Sequence, residues 1–169
     1  MAIKSLISHL IVPAAVSLLV TGCGSDNKSN SGNPAPKSGV FLDAEVGGLS
    51  YSASPSGLSG TTNSAGEFSY RDNDTLSFSF GGITVGTAAG QAIVTPRTIA
   101  ASITSLPSGI SAADIALNIA ILLQSFDEDG NPDNGITISA ATATAAANTT
   151  INFGVLPNDF VNGPSLSQL

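Results

Sequence analysis

The sequence predicts a mainly β fold, a small antiparallel β-sandwich that is followed by an α-helical C-terminal appendage. Residues 40–96 contain several short apolar runs separated by glycine, asparagine and aspartate, a pattern typical of short strands joined by turns. Thr75–Phe80 alternates polar and apolar side chains with a period of two, which indicates a half-buried antiparallel strand. Residues 115–126 carry instead an apolar stripe with helical spacing, which indicates a helix.

The predicted strands are short, and polar turns separate them. Leu76, Phe78 and Phe80 should share one face of their strand, and Phe68 and Tyr70 should share a face of theirs, because side chains two residues apart point the same way. The predicted strands span residues 40–42, 46–51, 58–62, 67–70, 75–80, 83–86 and 92–94, with turns at 63–66 and 71–74.

One amphipathic helix is predicted after the strands. Ser111 and Asp114 have the spacing of a capping box at its start, and the helix is expected to run to Phe126. Leu117 and Ile121 make its far side apolar as well, so we expect the helix to be covered on more than one side. The structural interpretation is a helix of the hydrophobic core, and the alternative is a helix that binds lipid or a partner protein. The stripe comprises Ile115, Ile119, Leu122, Leu123 and Phe126.

The sequence after this helix is less regular. Residues 139–148 are rich in alanine and threonine, and we predict a short helix there because alanine favours helix. Residues 151–153 are predicted to form a last strand. Leu166 and Leu169 begin a helical spacing at the end of the sequence, so either Leu169 packs on the core or the sequence is the front part of something longer.

The middle of the chain contains the run GVFLDAEVGGLSYSASPSGLSGTTNSAGEFSYRDNDTLSFSFGGITVG. This run resembles a module of bacterial surface lipoproteins and large secreted adhesin-like proteins. Its piece TTNSAGEFSY is similar to the turn-and-strand signature of prealbumin-like domains, which implies a prealbumin-like or immunoglobulin-like sandwich. Asn63 stands where such domains often have aspartate, a departure that keeps the turn chemistry. The resemblance implies a cell-envelope location and supplies no catalytic residues.

The N-terminal residues have the pattern of a secretion signal. Residues 1–20 carry one lysine and are otherwise mostly apolar, and they are too short to favour a permanent transmembrane helix. They end in Val20-Thr21-Gly22-Cys23, where Cys23 is the only cysteine. This resembles the bacterial lipobox and implies a lipoprotein signal peptide over 1–22 and a lipid-anchored, palmitate-bearing Cys23. The alternative is an ordinary secretory peptide that contains a cysteine.

A polar segment separates this cysteine from the strands. Residues 24–39 read GSDNKSNSGNPAPKSG, with no large apolar side chain, so we predict a flexible tether. Gly24 permits export to the outer membrane by the sorting rule that lipoproteins of Gram-negative bacteria often follow. The predicted organisation is a signal peptide (1–22), the lipidated cysteine and tether (23–39), the sandwich module (40–96) and the helical appendage (97–169).

Composition disfavours nucleic acid and most catalytic chemistry. Removal of residues 1–22 would leave four of the five basic residues and all twelve acidic ones, a net charge of −8, and such a surface repels phosphates. The only histidine, His9, would be lost. With Cys23 acylated, the mature chain then lacks Ser-His and Cys-His pairs and most zinc sites. We therefore expect a protein that is not an enzyme, with a carboxylate-only hydrolase as the remaining alternative.

An acidic loop follows the predicted helix. It starts as Asp-x-Asp-Gly-Asn and resembles the first half of an EF-hand loop, in which oxygens at alternate positions converge on Ca²⁺. The second half departs from that motif, because Pro132 stands where glycine belongs and Ile138 where a bidentate glutamate belongs. The alternative is a polar turn that ends the helix. The run LLQSFDEDGNPDNGI also looks like a segment that follows the module in the same envelope proteins. The candidate ligands are Asp127, Asp129, Asn131 and Asp133.

We weigh three function hypotheses. The first is a membrane-anchored lipoprotein of the bacterial cell envelope, a non-catalytic binding, adhesion or structural module whose partners are the membrane, through its lipid, and an envelope or surface protein. The second is an accessory subunit of an envelope transport or assembly complex, which an exposed apolar strip on residues 115–126 would favour. The third is the carboxylate-only hydrolase, which a cleft with two carboxylates at catalytic separation would favour.

Overall fold

The computed structural model of the 169-residue protein describes residues 34–163. Within this range the fold is mainly β, and its helices lie in the C-terminal part, as predicted. The strands are β1 (Lys37–Phe41), β2 (Val46–Gly47), β3 (Ser50–Ser54), β4 (Ser59–Thr61), β5 (Glu67–Tyr70), β6 (Thr75–Phe80), β7 (Ile83–Ala89), β8 (Ile93–Val94) and β9 (Ile136–Thr137). The helices are α1 (Pro96–Ala101), α2 (Ala112–Ser125), α3 (Ala140–Ala145) and α4 (Pro157–Asn162), and 3₁₀ turns lie at Pro132–Asn134 and Ala146–Asn148.

The strands form two larger sheets and one small one. The four-stranded sheet has the order β4-β3-β6-β7 and is antiparallel throughout. The three-stranded sheet has the order β5-β1-β8, in which β1 runs antiparallel to β5 and parallel to β8. The parallel pair β2–β9 joins the start of the fold to the segment after α2. This last pairing was not predicted, because β9 is only two residues long.

Aromatic side chains connect the two larger sheets. Phe41 of β1 and Phe78 of β6 have ring centroids 5.0 Å apart in an edge-to-face arrangement. Phe68 of β5 lies 5.2 Å from the same Phe78 ring and 6.0 Å from Tyr51 of β3. Such edge-to-face pairs are preferred because the ring edge is positive and the face negative. Strands of the two sheets therefore share an aromatic cluster within the buried core.

The alternation predicted for Thr75–Phe80 is confirmed. Leu76, Phe78 and Phe80 are buried, whereas the intervening serines are partly exposed. The strand lies between β3 and β7, so one face of this strand contributes to the core. The same pattern holds in β5, where Phe68 and Tyr70 are buried together.

A buried carboxylate organises the turn before β6. The Asp74 side chain accepts hydrogen bonds from Ser56 N–H (2.9 Å), Ser56 Oγ–H (2.7 Å) and Arg71 N–H (2.7 Å). Burial by itself raises the pKa of Asp74, but these hydrogen bonds from Ser56 and Arg71 outweigh it and hold the pKa below its ordinary value. Asp74 therefore ties the loop after β3 to the turn between β5 and β6.

Helix α2 begins as predicted and forms part of the core. The Ser111 and Asp114 side chains bond reciprocally to each other's backbone N–H groups as a capping box, and the hydrogen bonds from Ser111 lower the pKa of Asp114. The stripe faces inward, since Ile115, Ile119, Leu122 and Leu123 are all buried. On this part of the helix, Leu117 is the large apolar side chain that is exposed, at 50%. The exposed strip that would favour a partner-binding helix is therefore not formed.

Strands and helices share one core. Residues on both sides of the predicted boundary between 96 and 97 belong to a single buried cluster within the compact unit. The contact between β7 and α1 is close because β7 has a glycine there: a Cβ at Gly86 would lie 2.3 Å from Cγ2 of Ile99 in α1. Gly86 also has a φ of +144°, a conformation that L side chains rarely adopt. The helical part consequently packs as an integral layer, whereas the sequence suggested an appendage.

The first strand begins before the predicted module boundary. The predicted tether spans 23–39, whereas β1 already begins at Lys37, which lies opposite Tyr70 of β5. Glycine at position 39 permits this pairing, because a Cβ at Gly39 would lie 2.6 Å from Cζ of Phe68. The last three residues assigned to the tether are therefore part of a sheet.

The structure also tests three further predicted elements, over residues 46–51, 139–148 and 151–153. The strand predicted over 46–51 is divided into β2 and β3, since Gly48 between them has a φ of +90°, outside the β region. The helix predicted over 139–148 is confirmed as α3 with a 3₁₀ turn. The prediction of a strand at 151–153 was wrong, because those residues form no regular secondary structure. In the part of the chain with a described structure, no helix has the length and apolarity needed to cross a membrane.

Candidate functional site

The candidate site is the acidic loop between α2 and β9, and both of its ends are fixed. At the start, Phe126 caps α2 and its ring packs against Phe80 of β6, with centroids 5.0 Å apart. At the end, Ile136 is buried in β9 and its N–H donates to the Glu45 carbonyl at 2.8 Å. The loop thus leaves and re-enters the core at defined points, while its tip is exposed.

Asp127 lies at the base of this loop. Its Oδ1 accepts a hydrogen bond from Thr137 N–H at 2.8 Å, and Glu128 N–H donates to the Thr137 carbonyl at 3.1 Å. Its other oxygen, Oδ2, is buried and has no hydrogen-bond partner among the described residues. A buried carboxylate oxygen without a partner is unfavourable. This atom is the strongest structural sign that the loop can accept a cation.

Each carboxylate oxygen of Asp129 accepts one hydrogen bond from within the loop. Its Oδ1 accepts from Asn131 N–H at 2.9 Å and its Oδ2 from Asn134 Nδ2 at 2.8 Å. The hydrogen bond from the Asn134 side chain, followed by that from Asn131 N–H, lowers the pKa of Asp129. These bonds favour the ionised carboxylate and use one acceptor site on each of its oxygens.

The other two predicted ligands are less constrained. Asn131 Oδ1 accepts a hydrogen bond from Asp133 N–H at 3.4 Å, at the long end of the range. Asp133 itself lies in the 3₁₀ turn and is exposed. Among residues 34–163, no three His, Cys, Asp or Glu side chains are grouped so that they could hold a metal ion. The four predicted ligands share one loop, but they do not converge on one point.

Two residues that hold the predicted ligands were not among the candidates. Asn134 of the loop donates from Nδ2 to Asp129, and Thr137 of β9 donates its backbone N–H to Asp127. The Asn134-Gly135 pair was a usable signal, because Gly135 has a φ of +96° and lets the chain turn back into β9. The twelfth position of the EF-hand pattern is also explained, since Ile138 is a buried core residue. It cannot act as a ligand.

The residues fit a cation only in part. Asp127 Oδ2 is a carboxylate oxygen without a partner among the described residues, and Asp133 is an exposed carboxylate of the same loop. Asp129 is exposed and each of its oxygens keeps a second acceptor site, although a cation there would compete with the Asn131 and Asn134 donors. Calcium accepts carboxylate, carbonyl and water oxygens in flexible geometry, so a weak, partly hydrated site is the form that this loop can support.

The predicted lipidation site Cys23 and the signal peptide 1–22 lie outside the described residues. So do most of the predicted tether and Leu169. Comparisons of the chain with protein-family models, curated proteins and solved structures found no match.

Proposed function

We propose that this protein is a lipoprotein of the bacterial cell envelope, anchored through an acylated Cys23 and acting as a non-catalytic binding, adhesion or structural module. The observation that carries the proposal is the sequence Val20-Thr21-Gly22-Cys23 at the end of an apolar segment. Attachment by several acyl chains is stable, whereas one chain gives only marginal binding. Gly24 then favours the outer membrane as the destination.

Labelling with palmitate tests the anchor. Wild-type protein should incorporate labelled palmitate and sediment with membranes, and Cys23→Ser should lose both properties. The matched control is Ser25→Ala, which changes a small polar residue two positions away and should keep the label. Label that persists in Cys23→Ser would overturn the proposal. Gly24→Asp should keep the label but move the protein to the inner membrane in a host that uses the aspartate retention rule.

We propose further that the two larger sheets form a prealbumin-like or immunoglobulin-like β-sandwich. The edge-to-face contacts of Phe78 with Phe41 and Phe68 support this, since they lie between one sheet and the other. Sandwiches of this kind present loops at their ends while the sheets form a rigid core. A rigid core with exposed loops suits a module that binds a surface or envelope protein.

Crosslinking in intact cells tests the binding role. The anchored wild type should capture a defined envelope or surface protein, and the same partner should be recovered when Leu117→Asp replaces the exposed apolar residue of α2. Loss of capture in Leu117→Asp would instead favour the accessory-subunit hypothesis, in which this helix meets the partner. Absence of any reproducible partner would leave a structural role in the envelope.

A second candidate function is weak Ca²⁺ binding by the loop after α2. The specific observation in its favour is Asp127 Oδ2, a buried carboxylate oxygen without a partner among the described residues. A divalent cation would supply that partner and offset the mutual repulsion of the neighbouring carboxylates. The missing glutamate at position 138 leads us to expect a dissociation constant on the order of 10⁻⁴–10⁻³ M, as in extracellular modules.

A further inference from the structure

A cleft runs along the junction of α1 and α2, away from the acidic loop. Two cavities of about 300 and 410 Å³ lie side by side there, and both are lined by Arg97 of α1 and Ala116 of α2. The larger cavity also reaches Asp43, in the turn after β1. We call these two cavities together the Arg97–Asp43 cleft.

Small side chains form the α2 side of the cleft. Ala112, Ala116 and Ala120 recur every four residues and so lie on one side of α2. Ala101 of α1 lines the same space. Longer side chains on these two adjoining helices would fill the volume, so the alanines leave room for a small guest.

The cleft also carries two opposite charges that do not pair with each other. Arg97 is exposed and forms no ion pair or side-chain hydrogen bond with any residue in 34–163. The two other cations of that range are engaged, since Lys37 pairs with Asp72 and Arg71 Nε donates to the Pro34 carbonyl at 2.8 Å. In an acidic protein, an unengaged guanidinium beside a cavity is available to bind an anion.

Asp43 supplies the negative side of the cleft. Its carboxylate accepts one hydrogen bond, from Gln124 Nε2 at 3.3 Å. Partial burial raises the pKa of Asp43, and the hydrogen bond from Gln124 offsets this only in part. A positive group from outside would favour the ionised carboxylate, because an opposite charge nearby stabilises it.

We propose that the Arg97–Asp43 cleft binds a small zwitterion, whose carboxylate pairs with Arg97, whose ammonium group pairs with Asp43, and whose short apolar linker lies against the alanines of α2. This ligand class follows from two unpaired charges of opposite sign on one cavity. A simple anion would engage Arg97 alone, and a simple cation would engage Asp43 alone. The cleft is independent of the calcium loop and of the lipid anchor.

Titration of the full-length mature protein in detergent, followed by NMR or calorimetry, tests this. The probes are glycine, β-alanine, γ-aminobutyrate and 6-aminohexanoate, which place the two charges at increasing separation, with acetate and ethylammonium as single-charge controls. At least one zwitterion should bind about tenfold more tightly than either control. No binding of the series up to about 50 mM, well above a millimolar constant, or equal binding of acetate, would overturn the proposal.

Variants assign the contacts. Arg97→Gln and Asp43→Asn should each weaken binding of the best probe about tenfold or more, and Ala116→Leu should do the same by filling the space without changing charge. Asp72→Asn is the matched control, because it removes an exposed carboxylate elsewhere and should leave binding unchanged. Each variant is first checked for an unchanged melting curve. Binding that survives both Arg97→Gln and Ala116→Leu in folded protein would contradict the assignment.

Discussion

The side-chain amide of Asn118 joins helix α2 to an irregular segment far along the chain. Its Nδ2 donates hydrogen bonds to the backbone carbonyls of Phe153 at 2.9 Å and Val155 at 2.8 Å. Asn118 is fully buried in the middle of the helix, and its Nδ2 is satisfied by these two bonds, whereas its Oδ1 has no hydrogen-bond partner among the described residues. The segment that leads into α4 is therefore held by a side chain of α2.

Asn118→Ala should destabilise the protein by about 1–3 kcal/mol, because two partly buried carbonyls would lose their donor. The neighbouring Leu117→Ala removes a half-exposed side chain and should cost well under half of that. Urea unfolding of the two variants measures the difference. Equal midpoints would show that the Asn118 hydrogen bonds do not contribute.

Phe78→Asp should unfold the protein or cost roughly 4 kcal/mol or more, since it removes a core ring and buries a carboxylate without a partner. Ser77→Asp is the matched control, because residue 77 lies on the other face of β6 and is partly exposed. It should change the melting temperature little. Two variants that melt alike would contradict the assigned faces of the strand.

Acid stability should depend on Asp74. Its folded-state pKa is lowered below the ordinary value of 3.8, so the stability that it contributes is present above pH 3.8 and is lost as the pH falls through the folded pKa. Asp74→Asn should reduce stability at pH 6, because Ser56 and Arg71 N–H would lose a charged acceptor. The variant should also lose less stability than wild type between pH 5 and pH 2.5. Urea unfolding at these pH values measures both effects, and an unchanged acid loss would contradict the role of Asp74.

Calcium should stabilise the protein if the loop binds it. At 10 mM Ca²⁺, about ten times a millimolar dissociation constant, linkage gives roughly 1.4 kcal/mol, a rise of a few degrees in Tm. Magnesium should give less, because it requires stricter octahedral geometry. Asp127→Asn with Asp129→Asn should abolish the response, and Glu128→Gln, an exposed acidic neighbour, should keep it. If 10 mM Ca²⁺ does not change the Tm, the loop is a polar turn that ends the helix and the calcium hypothesis is wrong.

Local patterns were sufficient to predict much of the fold. The period-two run of Thr75–Phe80 predicted the buried face of β6, and the Ser111–Asp114 spacing predicted the first turn of α2. Both signals depend only on neighbouring residues. The turn at 63–66 was similarly local, since Asn63 Oδ1 accepts from Ala65 and Glu67 N–H.

Long-range pairings could not be predicted in the same way. Strand β9 forms because Val46 and Ile136 meet across 90 residues of sequence, and two residues carry no measurable periodicity. The Phe153 carbonyl accepts a hydrogen bond from the Asn118 side chain, and a contact across 35 residues leaves no local pattern in the sequence. The site shows the same division: the sequence located the acidic loop, but not the diversion of Asp129 toward Asn134. The conformation of the folded backbone decides which donor reaches each carboxylate oxygen.

The central claim is that Cys23 is the lipidated first residue of the mature protein. Mass spectrometry of the N-terminal peptide, from protein extracted from bacterial membranes in detergent, tests it most directly. We predict a peptide that begins at Cys23, carries a diacylglyceryl thioether on its sulfur, and lacks residues 1–22. A mature N-terminus at any other residue, or an unmodified thiol at Cys23, would contradict the account.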